Sequence, residues 1–337
     1  PGHDERRGSR RLIAFVLRRA LQSLGVMLAV AFIAFMATAY IGDPLTGLLG
    51  AEATPAERAD LRQRLGLDDP MPVQFARFAG RAARGDFGVS YRQAEPVMPM
   101  ILTRFSATAE LAAASMLIAV VLGVPLGVYT GLRPRSSLSR LLLGVSLIGV
   151  SLPTFLLAIL LILLFSVVLG WLPSFGRGAT VNVGFWSTGL LTFSGLKALI
   201  LPAVTLGMFQ MTLIMRLVRS EVMQVLMSDF IKFARARGLT DRAVTFGHAL
   251  RNTLLPVVTI IGMQFGSIVA FAVITESIFA WPGMGHLFLQ SIQAADLPAI
   301  AAYLVFIGLL FVIINLVVDL LYFVIDPRVR LDAMRRA

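Results

Sequence analysis

The sequence predicts an all-α, polytopic membrane protein with six transmembrane helices. Three observations predict it. Hydrophobic residues make up 57% of the 337-residue chain and charged residues only 15%, whereas soluble globular domains carry roughly a quarter charged residues. Six apolar runs are long enough to cross a hydrocarbon core of roughly 30 Å, which takes about 20 residues. Lysine and arginine gather in alternate connections between those runs, as they do where cytoplasmic loops retain positive charge.

Residues 1–11 form a polar N-terminal tail, expected to be disordered through Ser9. The first span, 12–41, carries no charge from Ala20 to Gly42. Arg10, Arg11, Arg18 and Arg19 before an apolar run ending in Ala37-Thr38-Ala39 resemble a cleavable signal peptide. A signal core is only about 7–15 residues, so an uncleaved span is the better reading. The outer loop, 42–106, is expected to be folded. Thr54-Pro55-Ala56-Glu57 is a capping box with proline in the first turn, and Gly66 ends that helix. A second helix is predicted from Pro72 to Arg84, and the pair suits a cap over the outer mouth.

A five-helix core follows over 107–325. Its spans are predicted near Ala107–Thr130, Leu138–Leu169, Ala198–Met215, Leu254–Ile274 and Ile300–Ile325. Gly123, Gly127 and Gly131 recur at four-residue spacing, as do Gly262 and Gly266; small residues at that interval let helices approach closely in lipid. Pro125, Pro153, Pro202 and Pro256 should kink or start helices. The tail is 326–337.

Six spans put both termini on one side, and the charges say which. Six Lys and Arg precede residue 20, three lie at 133–140, seven at 216–253 and four after Asp326. The short loops opposite hold only Arg177 and Lys197. The 42–106 loop holds eight, but loops longer than about 60 residues escape the rule. Both termini are therefore expected in the cytoplasm, and Trp171, Trp186 and Trp281 in an outer aromatic belt. Arg177 is expected in an outer loop within reach of impermeant reagents. This partition accounts for the net charge of +11 without a continuous basic patch, so nucleic acid is not expected as a partner.

Several chemistries are excluded or disfavoured. Without cysteine there is no disulfide, thiolate site or cysteine nucleophile. His3, His248 and His286 lack the spacing of a metal site. No Gly-x-x-x-x-Gly-Lys-Ser/Thr loop occurs, so no nucleotide hydrolysis is expected of this chain. Asp86-Phe87-Gly88 spells the kinase metal-binding tripeptide, but its context is absent. Only Glu110 and Asp319 come near the spans as ionisable groups, which disfavours an ion-coupled secondary transporter. No paired nucleophile and base suggests an intramembrane enzyme.

The cytoplasmic loop, 216–253, is the most informative segment. Ser228 or Asp229 can cap a short helix that Gly238 ends. Phe230, Phe233 and Ala234 form an apolar stripe flanked by Lys232, Arg235 and Arg237. A return helix is predicted from Thr240 to Asn252, with Ala243, Phe246 and Leu250 on one face. Such a knob suits either a groove on a cytoplasmic partner or an anionic lipid surface.

Phe233-Ala234-Arg235-Ala236-Arg237-Gly238-Leu239, followed by His248-Ala249-Leu250-Arg251-Asn252 and Leu254-Leu255-Pro256, resembles the cytoplasmic loop of binding-protein-dependent ABC importer permeases. More narrowly it resembles the dipeptide, oligopeptide and nickel branch, as the first permease of the pair. Gly42-Asp43-Pro44, Leu65-Gly66-Leu67-Asp68, Gly85-Asp86-Phe87-Gly88, Ser151-Leu152-Pro153, Gly170-Trp171-Leu172-Pro173, Glu276-Ser277-Ile278-Phe279-Ala280-Trp281-Pro282-Gly283 and Asp326-Pro327-Arg328 extend the resemblance over nearly the whole chain. Lys232 stands where the general motif has Glu, and the interval to Leu-Pro is longer, a departure shared with the peptide branch.

The resemblance implies a type I ABC importer permease fold in a bacterial or archaeal inner membrane. It implies a heterodimer with a second homologous permease, two ATPase subunits that bind the ATP and Mg, and an extracytoplasmic substrate-binding protein. No cofactor is implied in this chain. The coupling helix would comprise Asp229, Phe230, Phe233, Ala234, Arg235, Ala236, Arg237, Gly238 and Leu239, with His248 beyond it. The segment around Glu276, Trp281, Pro282 and Gly283 would face the outer mouth. Peptides are the expected cargo; nickel, glutathione or another small solute is the alternative.

Overall fold

Apolar runs bounded by Gly, Pro and capping residues become helices here, and one proline decides where a run breaks. The computed structural model describes residues 2–41, 45, 54–184, 186–240 and 243–325. Gly42-Asp43-Pro44, Asp326-Pro327-Arg328 and the 326–337 tail therefore lie outside the described residues. The described chain is helical apart from a small β-hairpin and connecting loops, and it forms two units.

The first unit takes residues 1–104 and 287–316. Helix α1 runs from Gly2 to Ile41, so the polar start expected to be disordered is helical. Helix α2 (Pro55–Leu65) opens with the predicted capping box: Thr54 N–H donates to Glu57 Oε2 at 2.9 Å and Thr54 Oγ1 accepts from Glu57 N–H at 3.4 Å. These bonds to Thr54 hold the Glu57 carboxyl below its usual range. Gly66 closes the helix at φ +64°, where a side chain would be strained. Helix α3 (Met71–Ala82) packs on α1. Phe75 lies 5.4 Å from Phe32 and 5.8 Å from Phe35, and Phe78 lies 5.8 Å from Phe35, ring centre to ring centre. The last long helix, Leu297–Ile325, meets α1 where Gly308 faces Val30. Beside it Asp296, 2% exposed, accepts from Ser90 Oγ and, at 3.1 Å, from Tyr91 N–H. Burial and the nearby Asp296 charge push the Tyr91 hydroxyl above its usual range, against the pull of Arg81.

The second unit takes residues 105–286 and 317–337. Helix α4 (Val97–Leu132) enters it and lies against α7 (Phe193–Met227). The glycine stripe makes that approach possible: a Cβ on Gly123 would sit 2.9 Å from Met211 O, and one on Gly127 2.7 Å from Met215 O. Gly131 meets Val222 in the same way, and Gly207 of α7 meets Ser115 O. Gly262 faces Val318 just as closely.

The third apolar run departs from expectation. It is a bent pair, α5 (Ser137–Ser151) and α6 (Thr154–Leu161), with a π-helical continuation over Ile162–Val168 and a 106° angle between the two arms. Pro153 has no N–H to continue the helix and drives Leu152 to extended backbone, φ −81° and ψ 130°. Strands β1 (Val181–Val183) and β2 (Trp186–Thr188) pair antiparallel with Val181 opposite Thr188.

Helix α7 far exceeds the predicted Ala198–Met215. Its 35 residues at about 1.5 Å each rise roughly 52 Å, well beyond the hydrocarbon core. Helix α8 (Asp229–Ala236) follows, then a π-helical segment (Ala243–Ala249) that runs into α9 (Leu250–Phe271). Helices α10 (Val273–Ile278), α11 (Met284–Gln293) and α12 (Leu297–Ile325) complete the chain. Helices α1, α4, α7 and α12 are long and apolar enough to cross a membrane, the α5–α6 pair adds a bent fifth span, and α9 supplies the remaining apolar helix.

Candidate functional site: a helical knob and a buried clasp

The knob is built from a serine hinge and a glycine stop. Ser228, at φ −68° and ψ 151°, separates α7 from α8. It occupies the N-cap position, yet its side chain makes no cap bond there. Asp229 is likewise engaged elsewhere, accepting from Lys232 Nζ at 2.8 Å on the open surface. At the other end Gly238 adopts φ +83°, Gly238 N–H donates to Arg235 O at 2.9 Å and Leu239 N–H reaches back to Ala234 O.

The expected stripe divides between two faces. Ala234 turns inward with Ile231, and both pack on Val244 of the return segment and on Val225 and Leu226 of α7. Phe230 and Phe233 turn outward, 44% and 64% exposed, with Leu239 at 41%. The Arg237 guanidinium sits 5.7 Å from the Phe233 ring centre. Arg235 and Ala236 complete the exposed surface of the helix. The return segment is a π-helix instead of a separate α-helix, and Val244, not Ala243, makes its buried contact. The Phe246 and His248 side chains lie outside the described residues.

At the opposite end of α7 from the knob lies a clasp centred on the start of α4. Trp281 is 1% exposed, and its Nε1–H donates to Ala107 O at 2.9 Å. Glu276, fully buried, accepts from Thr108 Oγ1 at 2.6 Å and from His286 N–H at 3.0 Å, while Thr108 Oγ1 accepts from Met284 N–H at 2.8 Å. Between them Glu276 and Thr108 satisfy orphan N–H groups at the start of α11. Gly283 is fixed by the same carboxylate, because a Cβ there would collide with it. Pro282 is half-buried beside them.

One turn along, Glu110 and Arg177 form a buried ion pair at 2.7 Å with side chains 4% and 7% exposed. Glu110 also accepts from Gly189 N–H and Trp186 Nε1–H at 3.3 Å. Arg177 also donates to Ser187 O at 2.6 Å and to Ser106 Oγ at 3.3 Å, and lies 5.9 Å from the Trp281 ring centre. Two expectations are corrected here. Trp281 is a buried tie, not an interfacial anchor, and Arg177 is a buried partner of Glu110, not a reagent-accessible loop charge. Trp171, 62% exposed, keeps the surface position expected of it.

Sequence reasoning missed the clasp because the bonds that tie it to α4 join residues 67 to 176 apart. A signal was present. Glu110 sits inside an apolar run and Arg177 is one of only two basic residues in the short outer loops, so charge pairing could have joined them.

Comparison with known proteins gives the family. Residues 123–331 match the family described as binding-protein-dependent transport system inner membrane component, and residues 12–112 match the corresponding N-terminal family. A dipeptide transport system permease protein of Alkalihalophilus pseudofirmus is 37% identical over 332 residues, covering 95% of this chain and 100% of that protein. A glutathione transport system permease protein of Salmonella paratyphi A is 37% identical over 320 residues, covering 95% and 99%. The inward-facing MetNI methionine ABC transporter shares the fold, with a TM-score of 0.52 at 19% identity over 67% of this chain and 96% of that one. The chain therefore belongs to the binding-protein-dependent transport family of inner-membrane components, and is a membrane-spanning permease subunit of an ABC importer.

Proposed function

We propose that this chain carries small peptides into a bacterial cell as one of two homologous permeases in a heterodimer. Two cytoplasmic ATPase subunits bind ATP and Mg and supply the work, and an extracytoplasmic binding protein delivers the cargo. The chain itself is non-catalytic and holds no cofactor. Both termini lie in the cytoplasm of an inner membrane, consistent with the basic residues before residue 20, at 133–140, at 216–253 and after Asp326. Relatives named for dipeptide and for glutathione, itself a tripeptide, support a small-peptide cargo. The glutathione relative, matched at the same identity, favours glutathione as a second reading.

The observation that carries the coupling role is the two-faced helix α8. Its inner face is packed, so the outer aromatics Phe230 and Phe233 stand exposed on a supported helix. Exposed aromatic and Arg side chains on a supported surface are what a protein groove selects. Closure of the ATPases then acts on Asp229–Leu239 and, through Ser228 and the return segment with His248, on α7 and α9. At the other end, Glu276, Trp281, Pro282 and Gly283 shape the outer mouth that receives cargo.

The test is ATP hydrolysis by the reconstituted importer with loaded binding protein. Phe233→Asp and Arg237→Glu abolish the stimulation while the chain still inserts in the membrane. Wild-type stimulation in both variants contradicts the coupling role.

A further inference from the structure

Helices α7 and α9, joined by the cytoplasmic knob, meet in a polar contact deep in their apolar lengths. Gln264 Nε2 donates to Gln210 Oε1 at 2.8 Å, and Gln210 is 6% exposed. Both side chains line a cavity of about 460 Å³, which also takes Thr154 just past the Pro153 break, Ser267, Phe209 and Leu213. None of its lining residues is charged. The volume lies within the range of small-molecule sites, about 300–1,000 Å³.

A primary amide has two N–H donors and an oxygen that accepts twice. The single bond between the two glutamines leaves donor and acceptor capacity on both, with no other partner among the described residues. Reversing both amide assignments together reverses the bond and leaves the same surplus. A polar pair kept at this depth is costly unless it is used. A peptide group offers one N–H and one C=O, the complement of that surplus. A charged side chain would enter without a counter-charge, which burial penalises heavily.

We propose that this cavity contacts the cargo, and that Gln210 and Gln264 recognise the passing peptide bond by trading their mutual hydrogen bond for bonds to its N–H and C=O. The proposal rests on the reading of the chain as a small-peptide permease and assigns it a contact that senses the peptide bond instead of the termini. Because the pair bridges α7 and α9, the exchange also loosens the two helices that the knob joins.

The test compares uptake of dialanine and of dialanine methylated on its peptide nitrogen, in vesicles holding the whole importer with one binding protein. The binding protein's own preference is common to every permease variant and cancels. Gln210→Met and Gln264→Met are near-isosteric, and recovery with the ATPase subunits verifies that each has folded. The variant that removes the acceptor for the peptide N–H is expected to lower the dialanine-to-analogue uptake ratio about 5-fold relative to wild type, the scale of one net hydrogen bond, and the other, which bonds the C=O that both compounds keep, to lower uptake of both. A ratio unchanged in both variants overturns the proposal and leaves the pair as helix packing alone. Wild-type importer that takes up neither compound removes the peptide reading itself, a result distinct from any effect of the variants.

Discussion

Glu110 and Arg177 carry the largest residue-level stake in the clasp at the start of α4. A buried ion pair adds little net stability over apolar replacements, but removing one partner strands a charge at a cost of about 3–5 kcal/mol. Arg177→Met is therefore expected to destabilise the chain by roughly that amount, measured by thermal inactivation in detergent. Glu110→Leu added to Arg177→Met should restore most of the loss, since the pair shares one network. Equal destabilisation by the single and double changes would mean that packing, not the unpaired charge, sets the cost. Trp281 teaches a related lesson. Its indole could be predicted to lie near a span end, but its burial against Ala107 O follows from a contact 174 residues away.

At the scale of elements, local rules read well and long-range ones did not. The capping box at Thr54, the Gly66 and Gly238 stops and the glycine stripe are properties of a few adjacent residues, and each takes the predicted form. Pro153 was legible as a kink or a start, yet the 106° turn of the third span exceeds what a proline alone announces. Which way the knob's stripe faces is not a local property, because Phe230, Phe233 and Ala234 share one side of the helix by spacing alone. Only the return segment's Val244 decides that Ile231 and Ala234 go inward. The stripe itself is testable. Gly127→Val places two methyl groups where Met215 O and Val218 already lie within 3 Å of a Cβ. Overpacking of that kind costs about 1–3 kcal/mol, so the melting temperature should fall, whereas Gly144→Val, with nothing near its Cβ, should leave it unchanged.

Over the whole chain, composition and charge partition made the membrane class and its six apolar runs legible, and the ordered family segments made the importer role legible. The hidden part was the chemistry inside the apolar lengths. Gln210 and Gln264 are 54 residues apart and meet only through helix packing. The account's central claim is that this chain works as a permease powered by separate ATPases, and co-purification tests it most directly. The tagged chain is expressed with its neighbouring genes, extracted in detergent, and whatever stays bound is identified. The account predicts a second homologous permease and two phosphate-loop ATPases in the purified assembly. Recovery of the chain alone, transporting peptide in lipid vesicles without ATP, would contradict it.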